Sequence, residues 1–224
     1  MVRFFAIWVS VACLMMVVIF VMMGHTPGSK LAKWRQKVMR GCIKVESFFF
    51  MKAAGVVSFK QREARSEAVV AAYKHYLGPD WDINAEEPVG IQISNHTSWM
   101  DIMALLYMQA PSFLASEALQ ELPFMCKIAE SFQSLFCDRG GSSESRLRTL
   151  KAIEERQVLA EKGEYPVIHI FPEGCTTNKS AIVKFKKGPF NSLRAVRPVV
   201  FKYREFGGLS SAQDLLGAIW IGLL

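Results

Sequence analysis

The longest apolar run in the chain comes first: residues 4–23, FFAIWVSVACLMMVVIFVMM, hold no charge, and Ser10 is the clearest polar position. Twenty helical residues at about 1.5 Å each reach roughly 30 Å, the thickness of a bilayer's hydrocarbon core. The run predicts a membrane-spanning helix as a first unit, residues 1–24. A cleaved leader is the competing expectation. Its apolar stretch runs about 7–15 residues before a small-x-small site, and VMMGHTPGS offers a poor one. Only Arg3 precedes the run, whereas Lys30, Lys33, Arg35, Lys37 and Arg40 follow it, which predicts a cytoplasmic C-terminal side. Residues 25–60 mix basic and apolar positions, and Lys44, Glu46 and Lys52 argue against a second span. Two expectations stand for this unit. One is an amphipathic helix at the membrane interface, with Phe48, Phe49 and Phe50 at the acyl boundary; the other is a helix packed on a soluble domain.

The remaining unit, residues 61–224, changes rhythm. Residues 62–77 read as a helix with Val69, Tyr73 and Tyr76 on one stripe, stopped by GPD. Short apolar runs at 89–94, 134–137, 166–171 and 196–203 then alternate with helical patterns near 101–109, 124–132 and 143–162. That alternation predicts an α/β domain with a mixed, largely parallel sheet flanked by helices. In such sheets ligands bind where strands end and helices begin.

Composition narrows the class. Of 224 residues, 51% are hydrophobic and 21% charged, which excludes a disordered chain. The net charge of +7 favours anions: phospholipid headgroups, phosphorylated small molecules or nucleic acid. Nucleic acid is disfavoured, because no binding motif occurs and aromatics do not interleave with the basic residues. Cys13, Cys42, Cys126, Cys137 and Cys175 are scattered and odd in number, without C-x-x-C, so neither a disulfide framework nor a zinc cluster is expected.

Candidate chemistry falls at the strand–helix junctions. In NHTSWMD, residues 95–101, His96 and Asp101 are five apart. On one helix they would point about 140° from each other. They cooperate only if His96 lies in the loop and Asp101 in the first helical turn. Ser98-x-x-Asp101 also reads as a capping box, so the stretch serves a helix start as well as a general base oriented by an acid. After the strand PVIHI comes FPEGCTT, where Glu173 and Gly174 form a tight turn or an anion-binding nest. Arg139 precedes two serine residues beyond Gly140 and Gly141, and suits a phosphate or a solvated loop. Lys179, Lys184, Lys186, Lys187, Arg194, Arg197 and Lys202 form a basic run that is either a solvated face or a surface for phosphates. His169, mid-strand, reads as a satisfied core histidine, and Cys175 has no base beside it in sequence.

Taken in order, these elements resemble the glycerophospholipid acyltransferase superfamily over about residues 85–203. Its N-H-x-x-x-x-D is Asn95, His96 and Asp101. Its apolar strand ending in arginine is Leu135, Phe136 and Arg139, with Gln133 where glycine often opens the motif. F-P-E-G is Phe171, Pro172, Glu173 and Gly174, followed by Cys175 and Thr176 in place of threonine and arginine. The proline strand is Val196, Pro198, Val199 and Val200. FPEGCTTNKSAIVKFKKGPF looks most like the lysophosphatidylcholine and lysophosphatidylethanolamine acyltransferase branch. No calcium loop follows, and the tail DLLGAIWIGLL resembles the start of a helix that family members continue, so the domain looks truncated there.

The resemblance implies an acyl-CoA-dependent O-acyltransferase of the endoplasmic reticulum, with acyl-CoA as co-substrate and neither metal nor other cofactor. His96 would be the general base and Asp101 its orienting acid. Asn95, Arg139, Phe171, Pro172, Glu173, Gly174, Lys179 and Pro198 would bind substrate: a lysophospholipid, or alternatively lysophosphatidate or glycerol 3-phosphate. Membrane lipids are the expected partners. A metal-dependent hydrolase using His96, Asp101, Glu173 and His169, a luminal binding module glycosylated at Asn95 or Asn178, and an inactive lipid-binding relative remain alternatives.

Overall fold

The computed structural model describes residues 2–54, 56, 66–82, 88–138, 140–178 and 183–203. Five strands form one sheet: β1 (Ile91–Ser94), β2 (Ser112–Ser116), β3 (Leu135–Cys137), β4 (Ile168–Ile170) and β5 (Val196–Val199), in the order β3-β2-β4-β1-β5. Every pairing is parallel, so the expected mixed sheet is wholly parallel among the described strands. The helices are α1 (Val2–Met22), α2 (Lys33–Ala53), α3 (Glu67–Leu77), α4 (Met100–Met108), α5 (Pro123–Ser131) and α6 (Ser143–Glu161).

Residues 62–65 and the tail from 204 onward lie outside the described residues. From Glu67 the expected helix is present as α3, its first turn capped by Ser66, whose Oγ accepts the Val69 N–H.

Central strands explain the continuous apolar runs. All four residues of β1 and all three of β4 are buried, because helices cover both faces of the sheet. One core joins Ile91, Ile93, Ile168 and Ile170 to Ile153 of α6. Here Gly90 is obligatory: a Cβ on it would lie 2.3 Å from the Gln157 carbonyl oxygen. Gly90→Ala is expected to cost about 1–3 kcal/mol through overpacking, read as a lower urea midpoint. β5 is an edge strand, where Pro198 forfeits no ladder bond that the sheet requires.

The N-terminal prediction needs correction. Among the described residues no helix is long and apolar enough to cross a membrane. The expected span is helical, but it doubles back. Arg35 Nη1 donates to the Val21 carbonyl at 2.6 Å, and Ser10 Oγ bonds Glu46 near the other end, so α1 and α2 form an antiparallel hairpin. Val18, Val21, Leu31, Met39 and Ile43 then pack with Leu106, Ala110 and Phe132, so the hairpin is docked on the domain. Within residues 25–60, α2 packs one face on the domain through Met39 and Ile43 and leaves Trp34, Val45 and Phe49 exposed.

Candidate functional site

In the sheet β1 lies between β4 and β5, so the chain leaving each of the three strands emerges at one place, the C-terminal edge of the sheet. Asn95 and His96 follow β1, residues 171–177 follow β4, and residues 200–203 follow β5.

α4 starts at Met100, which leaves His96 in the loop and Asp101 in the first turn. His96 Nδ1 lies 3.0 Å from Asp101 Oδ2. The same oxygen accepts the N–H groups of Thr97 at 2.7 Å and Ser98 at 2.9 Å, while Ser98 Oγ accepts the Met100 N–H. Helix cap and histidine–acid pair are thus one structure. Asp101 is 0% exposed. A carboxylate only accepts, so Nδ1 carries the shared proton, and in the neutral imidazole Nε2 keeps its lone pair. The imidazole side chain is 14% exposed, and Nε2 has no hydrogen bond among the described residues.

The ring is fixed from other sides too. It stacks on Phe171 with centroids 3.8 Å apart and 18° between planes. The His96 backbone is pinned at both ends: its N–H donates to Glu173 Oε1 at 3.1 Å, and its carbonyl accepts the Thr177 N–H at 2.8 Å. Glu173 is buried and its Oε2 has no partner among the described residues. Gly174 adopts φ +76°, and a Cβ there would sit 2.6 Å from Lys186 Nζ. The Lys186 side chain therefore crosses directly over the turn, and the Lys186 backbone N–H donates to the Pro172 carbonyl at 2.9 Å.

The other expected substrate residues divide. Both ends of the Asn95 carboxamide are engaged by the Phe201 backbone: Nδ2 donates to the carbonyl at 3.1 Å and Oδ1 accepts the N–H at 2.8 Å. Pro198 sits on exposed edge strand β5 opposite Ile93. Arg139 and Lys179 lie outside the described residues. Gln133 has φ +56°, a conformation glycine adopts without strain. Its side chain compensates by accepting the Leu31 N–H at 3.0 Å, tying the hairpin to the sheet.

His169 is the core histidine its position suggested. It is 1% exposed, with Gln92 Nε2 at 3.3 Å from Nδ1 and Ser94 Oγ at 3.0 Å from Nε2. Burial, and then the His96 charge, push its pKa from 6.5 down to about 3. The unfolded chain therefore takes up this proton first. Its contribution to stability is intact above pH 6.5 and is lost as pH falls toward 3, by about 1.4 kcal/mol per pH unit. Urea unfolding between about pH 7 and pH 4 should show this slope. His169→Gln should flatten it, and an unchanged slope would contradict the neutral buried state.

Tyr203 was not singled out from sequence. Its O–H donates to Asp101 Oδ1, the oxygen that His96 does not use. Burial and the adjacent Asp101 charge raise the phenol's pKa far above its ordinary 10, so it stays protonated as a donor. Among the described residues no group of three or more His, Cys, Asp or Glu side chains is placed to hold a metal.

At the C-terminal edge of the parallel sheet, a loop histidine held by a helix-capping aspartate has the arrangement of an oriented general base. Residues 79–202, more than half of the chain, match the acyltransferase family, and the chain belongs to it. It is similar to the lysophospholipid acyltransferase LPEAT1 of Arabidopsis thaliana, 33% identical over 121 residues, which cover 53% of this chain and 30% of that protein. LPEAT2 of the same plant is 30% identical over 113 residues, 50% of this chain and 20% of its own. The lysophosphatidylcholine acyltransferase of Drosophila melanogaster is 30% identical over 119 residues, 53% and 22% respectively. The match thus spans under a third of each of these relatives' lengths. No solved structure matches the chain. The resemblance read from the ordered motifs, including its lysophospholipid acyltransferase branch, is borne out.

Proposed function

We propose that this protein transfers a fatty acyl group from acyl-CoA to the free hydroxyl of a lysophospholipid, with His96 as general base. The observation that carries the reading is the His96–Asp101 pair: Nδ1 held by a buried carboxylate, Nε2 left with its lone pair. His96 Nε2 takes the acceptor's hydroxyl proton as that oxygen attacks the thioester carbonyl. The tetrahedral intermediate collapses, the C–S bond breaks, and the imidazolium returns the proton to the CoA sulfur. Asp101 stabilises the imidazolium in between. Lys186, poised over Gly174, with Arg139 and Lys179, supplies cations for the acceptor phosphate. Phe171 orients the imidazole by stacking, and Glu173 fixes the His96 backbone.

A membrane location fits the outer surface of the hairpin. Phe5, Trp8, Met16, Ile19 and Phe20 of α1 and Trp34, Val45 and Phe49 of α2 are exposed. Beside them Lys33, Lys37 and Arg40 line a crevice against residues 163–167. Apolar side chains flanked by cations suit an interfacial seat on anionic lipid better than a crossing. The catalytic domain then faces the cytoplasm, with the endoplasmic reticulum as the expected membrane.

CoA release from oleoyl-CoA, followed with a thiol reagent, tests the activity. The acceptors are lysophosphatidylcholine, lysophosphatidylethanolamine, lysophosphatidate and glycerol 3-phosphate in turn. Release that depends on a lysophospholipid supports the proposal. A preference for lysophosphatidate or glycerol 3-phosphate moves the acceptor assignment, and no acceptor-dependent release overturns the proposal.

A further inference from the structure

We infer that Tyr203 is a positioning residue for the histidine–acid pair, and that Asn95 delivers it there. The Asp101 carboxylate is bonded at both of its oxygens. Oδ2 collects the His96 imidazole and two backbone N–H groups; Oδ1 has the Tyr203 O–H. A carboxylate bonded through one oxygen can still rock about its Cβ–Cγ bond. A donor on the second oxygen removes that freedom and keeps Oδ2 in line with Nδ1. Tyr203 reaches this point because the chain beyond β5 is stapled to the loop beyond β1. Both polar ends of the Asn95 amide hold the Phe201 backbone, two residues before Tyr203. The aromatic pair Phe201 and Tyr203 packs against the cluster of Met51, Ala54, Met100 and Ala104, where the ends of α2 and α4 meet.

The other titratable groups facing the pair are His169 from β4, buried and neutral, and Glu173 after β4, whose carboxylate holds the His96 N–H. Neither reaches Asp101 Oδ1. Loss of the Tyr203 O–H leaves a buried carboxylate oxygen short of a donor, and its charge then falls more heavily on the imidazolium. The acid limb of the rate profile should therefore move up.

The test is Tyr203→Phe in the full chain, assayed as kcat and KM with acyl-CoA and a lysophospholipid across pH. We expect kcat to fall about 10-fold, KM for acyl-CoA to stay within about twofold, and the acid limb of kcat/KM to rise by about half a pH unit. Asn95→Ala should move the limb the same way. In an Asp101→Ala background, Tyr203→Phe should change nothing further, because its partner is gone. A Tyr203→Phe enzyme with the parent's kcat and limb overturns the inference. So does one whose lower rate accompanies a lower Tm with the limb unmoved, since packing alone would do that. The inference rests on His96 as base. An active His96→Ala enzyme would remove that reading, whereas an inactive His96→Ala beside an unchanged Tyr203→Phe removes only this one.

Discussion

Replacing His96 with alanine is expected to lower acyl transfer by about 10²–10⁴-fold, the ordinary contribution of a positioned general base. The chain should remain folded, because the backbone at residue 96 is held independently of the imidazole, whose contacts among the described residues are the Phe171 stack and the Asp101 hydrogen bond. The backbone bonds from Glu173 and Thr177 to residue 96 do not involve the side chain and survive the change. KM for either substrate should move little, so the loss belongs in kcat. CoA release with saturating acyl-CoA and lysophospholipid, alongside a melting curve, checks both halves. A variant retaining most of its rate would remove His96 from the chemistry.

Asp101→Asn should reduce turnover on the order of 10²–10³-fold and also lower stability, unlike the His96 change. Four donors converge on this carboxylate: His96 Nδ1, the Thr97 and Ser98 N–H groups, and the Tyr203 O–H. An amide offers one oxygen and an NH2 group. Whichever way it is turned, its N–H groups meet at least one donor. With NH2 toward His96, the imidazole must put its proton on Nε2, the wrong nitrogen for accepting from a hydroxyl. With NH2 toward Tyr203, a buried phenol loses its acceptor. The stability loss is expected at about 1–3 kcal/mol, the penalty for an unsatisfied buried group. Urea unfolding together with the rate measures it, and an active, fully stable Asn variant would refute the geometry.

The legible parts of the fold were those decided locally. Apolar runs placed β1 and β4, because central strands are buried on both faces, and marked the edge strands β3 and β5 as well. β2 was missed. SFLAS is bounded by serine, and its burial depends on distant atoms: Ser112 Oγ donates to the Phe132 carbonyl at 2.7 Å. The apolar character of α1 was plain, but its pairing with Glu46 was not. In the site, five-residue spacing was enough to force His96 into the loop and Asp101 into the cap. The contact of Glu173 with the His96 N–H was hidden, as was Tyr203, because both arise from strand order rather than from neighbouring residues.

That strand order also sets a timetable. His96 is held by Glu173 from 77 residues away and by Thr177 from 81, while Asn95 and Asp101 find Phe201 and Tyr203 at separations of 106 and 102. A chain emerging from the ribosome can form the α4 cap early, since that needs only neighbours. It cannot complete the histidine's surroundings until residue 203 has been made. Until then the imidazole lacks its full set of partners, and it is aligned only when the sheet closes around β1.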